Sequence, residues 1–183
     1  MSFNLIQRIR NKIRVQKNNH ISLGNNLKIS GCQVSIKGKN NTLKIADNVR
    51  IRDTFIQITG ENNLIKIGSG SVIGRGSYIS AREKNITLTI GENCSLSRHA
   101  KVMTSDGHEL YHKGVRINEA KSITIGNGVW LADNTTVLKG VTIGDEATVG
   151  INATLTKSIP VRSIAVGNPA KVVKENVSKN QNS

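Results

Sequence analysis

A six-residue repeat runs without interruption through a large part of the chain's last third. From Ile125 to Leu155 an apolar residue stands at every sixth position, and a small residue follows most of these leaders. The leaders are Ile125, Leu131, Val137, Ile143, Val149 and Leu155. The fifth residue of each unit is short as well, as at Ala147 and Ala153. Such a repeat predicts a solenoid, because one unit can bury its apolar residue only against the units stacked on it.

The same unit recurs earlier in the chain with a longer spacing. Its leaders there, Leu23, Ile45, Ile67 and Ile90, stand 22 or 23 residues apart. Each hexapeptide supplies one short strand and one turn, with the leader pointing inward and a following Gly or Ala permitting the turn. Two hexapeptides and a longer third side complete one coil. The spacing therefore predicts an all-β fold, a parallel β-helix over residues 18–170.

The chain is strongly basic and poor in aromatic residues. Lys and Arg number 26 against 12 Asp and Glu, a net charge of +14, and aromatic residues make up 3% of the sequence. This charge favours a phosphorylated cofactor, an acidic polysaccharide or a membrane surface as partner, although a merely solvated basic surface fits it equally well. Nucleic acid is not an expected partner, because the chain has no recognition module and few aromatic side chains for stacking on bases.

Cysteine usage and hydropathy indicate a reducing compartment. Cys32 and Cys94 are too few for a disulfide framework, and Cys94 stands at a small-residue position of a repeat, which favours a buried thiol. The sequence has no apolar run long enough for a transmembrane helix, and no apolar signal segment follows Met1. We therefore expect a cytoplasmic protein, with the inner face of the membrane as an alternative location.

Both ends of the chain are predicted to carry short helices. Residues 1–17 place apolar side chains on one helical face with basic residues around it. This N-terminal helical cap would cover the first coil or make peripheral contact with an anionic membrane. Residues 171–183 are interpreted as a short C-terminal helix after Pro169, followed by a polar tail from Ser178.

One stretch breaks the repeat. Ile90 and Ile125 lie 35 residues apart, well beyond the 22 or 23 that a preceding coil needs. The excess forms a protruding loop at residues 103–121, which includes His108 and His112. A regular solenoid rarely carries such an excursion without a use for it, so this loop is the candidate functional segment.

Five segments in and beyond this loop carry a resemblance to one enzyme family. They are Thr104-Ser-Asp-Gly-His108, Ile123-Thr-Ile-Gly-Asn-Gly-Val-Trp130-Leu, Gly140-Val-Thr-Ile-Gly-Asp, Thr156-Lys157-Ser-Ile-Pro160 and Gly167-Asn-Pro-Ala-Lys171. Together they resemble the hexapeptide-repeat O-acetyltransferases, which include maltose, galactoside and capsular-sugar acetyltransferases. The resemblance extends over residues 67–174.

The resemblance implies a left-handed parallel β-helix that assembles as a homotrimer, with active sites between subunits. It also implies direct transfer of an acetyl group from acetyl-CoA to a saccharide hydroxyl, with acetyl-CoA as co-substrate and no metal. The acceptor would be a bacterial surface polysaccharide, such as capsule or lipopolysaccharide, or its precursor. The basic composition is compatible with an anionic acceptor.

His108 matches the catalytic histidine of the family, at the end of the Gly-His step. Acyl transfer to an alcohol needs a base that removes the hydroxyl proton, and neutral imidazole suits this role because its pKa lies near working pH. Negative charge on the thioester carbonyl also needs a donor, such as a backbone N–H in the turn after Trp130.

Acceptor contacts are expected from three residues. Asp106 would orient the histidine or bind a sugar hydroxyl, although an Asp before Gly is also a common turn residue. His99 stands on a coil turn where the family places a polar acceptor-side residue, often Asn, so this sequence departs from the usual type. Tyr111 is assigned to the acceptor cleft.

The resemblance also implies the cofactor-binding positions. They are Trp130, Ala132, Asp133, Gly150, Ile151, Thr156, Lys157, Lys171 and Lys174. Backbone amides of stacked turns would hold the pantetheine arm, and the Thr156-Lys157 pair would lie near the nucleotide. Lys171 and Lys174 would reach the CoA phosphates, unless they are simply surface charges. The family often has Ser in place of Asp133 and Ala in place of Ile151, so side-chain contacts differ there.

Three alternatives remain open from the sequence. The same fold accepts amines, so a sugar N-acetyltransferase is the nearest alternative. A γ-type carbonic anhydrase-like zinc protein would use His99, His108 and His112 as ligands. A non-enzymatic β-helix would serve as a scaffold or as a binder of anionic surfaces.

Overall fold

The computed structural model of the protein describes residues 10–178, and these form a three-sided parallel β-helix. Face A consists of β1 (Lys12–Val15), β4 (Gln33–Lys39), β7 (Phe55–Glu61), β10 (Tyr78–Lys84), β13 (Lys101–Met103), β18 (Thr136–Val137) and β21 (Thr154–Leu155). Face B consists of β2 (His20–Leu23), β5 (Thr42–Ile45), β8 (Leu64–Ile67), β11 (Thr87–Ile90), β16 (Ile123–Ile125) and β19 (Thr142–Ile143). Face C consists of β3 (Lys28–Ser30), β6 (Arg50–Arg52), β9 (Val72–Ile73), β12 (Ser95–Leu96), β17 (Trp130–Leu131), β20 (Thr148–Val149), β22 (Ile164–Gly167) and β23 (Ala170–Lys174). A separate hairpin joins β14 (Tyr111–His112) to β15 (Val115–Arg116).

The predicted leaders form a vertical ladder on face B. Leu23, Ile45, Ile67 and Ile90 pair in register from coil to coil, and the series continues through Ile125. All are buried, and they belong to one continuous aliphatic core that fills the β-helix. Ile90 pairs directly with Ile125, so the intervening residues leave the coil and return without disturbing the register.

The corners between faces need residues with left-handed backbone conformation, and Asn supplies most of those that are not Gly. Where face C turns into face A, successive coils place His99 at φ +59°, Asn134 at +59° and Asn152 at +58°. Asn adopts this conformation at lower cost than most residues, because its short polar side chain can bond locally. The structure therefore places His99 in a position that Asn occupies in the next two coils.

A ladder of buried asparagine side chains holds the corner between faces A and B. The Asn41 side chain donates to the backbone oxygens of Lys37, at 3.0 Å, and Gly60, at 2.8 Å, and it accepts a bond from the backbone N–H of Asn63 at 2.9 Å. Asn63 repeats this pattern one coil later and accepts from the backbone N–H of Ile86. These amides satisfy backbone groups that the turns would otherwise leave buried and unpaired.

The two predicted terminal helices are wrong over most of the residues that the structure describes, among which only Arg10 is helical. Residues 12–15 form β1, parallel to β4, because the sequence Lys-Ile-Arg-Val alternates and directs Ile13 to the core, a pattern that fits a strand as well as a helix. The rest of the predicted N-terminal helix, residues 1–9, lies outside the described residues. At the other end β23 runs antiparallel to β22, with Lys171 opposite Val166, so a hairpin replaces the helix. The polar tail predicted from Ser178 lies outside the described residues beyond that first position.

Two further expectations can be compared with the structure. Cys32 and Cys94 are both buried and neither forms a disulfide, and burial raises the pKa of Cys32. No helix within residues 10–178 is long and apolar enough to cross a membrane.

Replacing Asn41 by Leu should destabilise the fold. The side chain is fully buried, and its loss leaves two backbone oxygens and one N–H without their partner. We expect a decrease of roughly 2–4 kcal/mol in the free energy of unfolding, measured by chemical denaturation followed by circular dichroism. Lys44→Leu, on the exposed side of the adjacent strand, is the control and should change stability by less than about 0.5 kcal/mol. Equal effects of the two substitutions would contradict the role of the ladder.

Candidate active site

The protruding loop leaves the β-helix after β13 on face A and returns at β16 on face B, so it covers the corner between these faces. Its middle is the short hairpin of β14 and β15, in which Tyr111 pairs with Arg116. Two sets of polar contacts attach the loop to the coils, one on each side.

Glu83 provides the first attachment. This residue stands at the end of β10, one coil before the loop, with φ +83°. Its carboxylate accepts bonds from Arg116 Nη2 at 2.7 Å, from Ser105 Oγ at 2.8 Å and from the backbone N–H of Ala120 at 3.3 Å. Burial alone would raise the pKa of Glu83, but these donors together lower it. One carboxylate thus binds the start, middle and end of the loop.

Asp106, Asn118 and Lys139 provide the second attachment. Lys139, from the coil after the loop, pairs with the Asp106 carboxylate and donates to the backbone oxygen of Asn118 at 2.9 Å. The Asn118 side chain donates to Asp106 at 3.0 Å and to the backbone oxygen of His108 at 2.7 Å. The hydrogen bond from Lys139 lowers the pKa of Asp106. The Asp106 carboxylate is therefore engaged in holding the loop, and its predicted acceptor contact stays a prediction.

His108 is exposed at the first bend of the loop, with its backbone fixed by Asn118. It lines a cavity of about 310 Å³ at the corner of faces A and B, together with Thr59, Arg82, Glu109 and Arg116. A small cavity beside an exposed imidazole gives an acceptor group room to approach the ring. Tyr111 is exposed on the hairpin, where its hydroxyl donates to Glu109 at 2.6 Å, and this bond raises its pKa.

Trp130 and Asp133 lie at another corner, where face C turns into face A. The indole N–H of Trp130 donates to Ser97 Oγ at 3.1 Å, and the ring is 45% exposed. Asp133 accepts bonds from the guanidinium and the backbone N–H of Arg98, and the side-chain bond is the main reason why its pKa is lowered. Asp133 stands where the hexapeptide-repeat O-acetyltransferases often have Ser. Its carboxylate thus fixes the turn of the preceding coil at Arg98.

His99 shares this corner. Its ring lies over Gly76 of the preceding coil, where an added Cβ would stand only 2.3 Å from His99 Nδ1. The absence of a side chain at Gly76, itself at φ +69°, makes space for the imidazole. His99 is exposed, so its predicted acceptor contact remains sterically available.

The other predicted cofactor positions stack above this corner. The N–H of Ala132 donates to Val149 O, and that of Gly150 donates to Ala165 O. These two amides belong to the ladder between coils, so they are not free to bind a pantetheine arm. Ile151 projects into solvent at 62% exposure. It offers an apolar side chain instead.

The four remaining positions are exposed. Thr156 and Lys157 follow β21, whereas Lys171 and Lys174 lie on β23 at the end of face C. The structure thus places the predicted residues at different corners. His108 lies at the corner of faces A and B, and Thr156 and Lys157 lie at the same corner two coils further on, between β21 and the face-B residue Ile159. Trp130 and its neighbours lie at the corner of faces C and A. No hydrogen bond among residues 10–178 joins the loop to Trp130 and these neighbours.

Four polar residues of the site were not predicted from the sequence: Glu83, Arg82, Asn118 and Lys139. Each is a common polar residue within or beside a repeat, and its spacing alone distinguishes none of them. Glu83 carries one weak signal, since it stands at the corner position where the previous coil has Gly60, its partner in register. The contacts that make these four important arise only when coils far apart in sequence are stacked.

Residues 122–157 match the family described as bacterial transferase hexapeptide (six repeats). The chain is 41% identical over 116 residues to the polysialic acid O-acetyltransferase of Escherichia coli O1:K1 / APEC, covering 60% of this chain and 38% of that protein. It is 32% identical over 113 residues to the galactoside O-acetyltransferase of Escherichia coli strain K12, covering 59% of this chain and 55% of that protein. The predicted resemblance to hexapeptide-repeat acetyltransferases is confirmed. The chain spans less than two thirds of the length of either curated relative.

A solved structure extends the similarity to nearly the whole chain. The polySia-specific acetyltransferase NeuO superposes with a TM-score of 0.76 at 27% identity, covering 96% of this chain and 92% of that chain. The predicted fold class, a left-handed parallel β-helix, is therefore confirmed. The terminal helices are the part of the predicted fold that differs from the structure.

Glu83→Gln should loosen the loop without unfolding the β-helix. The amide loses the negative charge that binds Arg116, and it forms weaker bonds with Ser105 and Ala120. We expect backbone amides of residues 104–121 to exchange hydrogen about tenfold faster or more, whereas the strands keep their protection. Hydrogen exchange read by mass spectrometry measures this. Lys84→Gln, at an exposed neighbouring position, should leave the loop unchanged, and an unchanged loop in Glu83→Gln would disprove the attachment.

Acid should release the loop in the same way. The pKa of both Glu83 and Asp106 is lowered in the folded protein, so their stabilisation is fully present above the ordinary carboxyl range and is lost as pH falls through the lowered values. We expect the loop to keep its position from pH 7 down to about 4, and to loosen below that. Backbone NMR shifts of Ser105 and Asn118 across this range report the transition. Loosening above pH 5 would contradict the assignment.

Proposed function

We propose that the protein is an acetyl-CoA-dependent O-acetyltransferase that modifies a hydroxyl of a bacterial surface polysaccharide, such as a capsule, or of its precursor. The observation that carries this proposal is His108, exposed on a firmly attached loop and facing a cavity, in a chain whose fold and repeats match those of saccharide O-acetyltransferases. Two relatives, by name, act on polysialic acid and on galactosides.

The reaction needs a base, a donor for the carbonyl oxygen and a leaving group. The acceptor hydroxyl would give its proton to a ring nitrogen of His108 as its oxygen attacks the thioester carbonyl. A backbone N–H would stabilise the resulting oxyanion. Collapse expels the CoA thiolate, which takes the proton from His108, so the ester and free CoA are the products and no acyl-enzyme forms.

A homotrimer with active sites between subunits would combine the two separated groups. His108 lies at one corner of the β-helix and Trp130 at another, so a second subunit could bring its own Trp130 corner to the His108 loop. Ile151 would then contact the pantetheine arm through its exposed side chain, and Lys157, Lys171 and Lys174 would bind the phosphates. Location in the cytoplasm, with contact at the inner membrane face, belongs to this proposal.

His108→Ala should reduce acetyl transfer by about 100-fold or more, because a positioned base contributes roughly 10²–10⁴ in rate. The assay incubates protein and acetyl-CoA with a panel of bacterial glycans, and it follows free thiol and product mass. His112→Ala, on the same loop, is the matched control and should retain activity. Full transfer by His108→Ala would defeat the mechanism.

Three measurements separate the alternatives. An acetyl ester is cleaved by hydroxylamine and an acetamide is not, so product stability distinguishes O- from N-acetylation. One zinc per purified chain, lost in His112→Ala, would favour the carbonic anhydrase-like protein. Failure to bind acetyl-CoA in calorimetry would favour a scaffold.

A further inference from the structure

Arg82 shares the cavity of His108, and its side chain takes no part in attaching the loop. It lies on β10, where its backbone N–H donates to Thr104 Oγ1 at 3.1 Å and its half-buried side chain lines the cavity. Its side chain therefore lines the same cavity as the imidazole that would remove the acceptor proton.

Neutral partners hold this guanidinium in one orientation. Nη2 donates to Gln57 Oε1 at 2.9 Å and to Tyr78 Oη at 3.2 Å. The Tyr78 hydroxyl donates to the same Gln57 oxygen at 2.6 Å, and its ring lies 5.4 Å from that of Phe55. Because the side chain is fixed before any ligand arrives, little conformational entropy is lost when one binds.

The charge of Arg82 is not neutralised within the cavity. Of the carboxylates that line the site, Glu83 lies 2.7 Å and Glu109 lies 3.4 Å from Arg116, so both are paired with that other arginine. No carboxylate between residues 10 and 178 forms an ion pair with Arg82. This half-buried, oriented guanidinium therefore offers a positive charge that no carboxylate of the described residues pairs with.

Gly107 leaves the second guanidinium nitrogen accessible. An added Cβ at Gly107 would stand 3.2 Å from Nη1 of Arg82, close enough to crowd it. The glycine that precedes His108 thus keeps open the side of Arg82 that Gln57 and Tyr78 do not occupy.

We propose that Arg82, fixed by Gln57 and Tyr78, binds a carboxylate of the acceptor and so selects acidic saccharides for acetylation at His108. The accessible Nη1 would donate to a carboxylate oxygen in a charge-assisted hydrogen bond, and this anchor would place a hydroxyl of the same or the adjacent sugar against the imidazole. The inference rests on the proposed saccharide acetyltransferase activity. Arg82 is a specificity residue in it and does not move the proton.

The test compares matched acidic and neutral acceptors. Oligosaccharides containing sialic acid or hexuronic acid are assayed with acetyl-CoA beside the same compounds with their carboxylates converted to amides. Wild-type protein should favour the carboxylated forms. Arg82→Gln should raise KM for these by about 10- to 100-fold, with KM for acetyl-CoA and activity on the amides nearly unchanged. Arg82→Lys keeps the positive charge without the planar guanidinium, and its KM for the carboxylated forms should lie between those of the wild-type protein and Arg82→Gln.

Matched controls separate this result from loss of fold or of general charge. Lys44→Gln removes one positive charge from face B and should leave both acceptor classes unaffected. Hydrogen exchange of the loop should be unchanged in Arg82→Gln. Equal use of acidic and neutral acceptors by wild-type protein, or equal losses on both in Arg82→Gln, would overturn the carboxylate site while leaving acetyl transfer intact. No transfer to any saccharide would overturn the proposed function and this inference with it.

Discussion

Register between stacked coils is the constraint on which the rest of this structure depends. Each backbone strand pairs with the strands of the coils before and after it, so every coil must present the same three sides at the same height. Ile90 and Ile125 pair as neighbours although 35 residues separate them. Additional chain can therefore leave only at a corner and must return to the position it left, which is how the loop of His108 arises.

The corners are governed by a second requirement, the pairing of buried backbone groups. Asn41 and Asn63 satisfy this at the corner of faces A and B in the early coils. The ladder ends at Ile86, which stands level with Asn63 one coil before the loop. Beyond Ile86 the returning loop covers the corner, with Ala120 packed against the core and its backbone N–H bonded to Glu83. The loop of His108 thus lies at the corner where the asparagine ladder ends.

The sequence was sufficient for those features that depend on periodicity. The spacing of Leu23, Ile45 and Ile67 predicts the coil, and the break after Ile90 predicts the loop. It was insufficient at Lys12–Val15, where apolar residues fit both a helical face and an alternating strand, and the unpaired edge of β4 decides the outcome. Arg82 and Lys139 could not be identified, because their partners come from distant parts of the chain and ordinary surface residues look the same in one dimension.

The position of Lys139 determines when the loop becomes fully attached during synthesis. The loop is held from below by Glu83 and from above by Lys139, which is translated more than thirty residues after the first loop residue it binds, Asp106. During synthesis the histidine-bearing segment leaves the ribosome before half of its support exists. His108 therefore reaches its final position only after the following coil has stacked, so an incomplete chain lacks the fully attached loop.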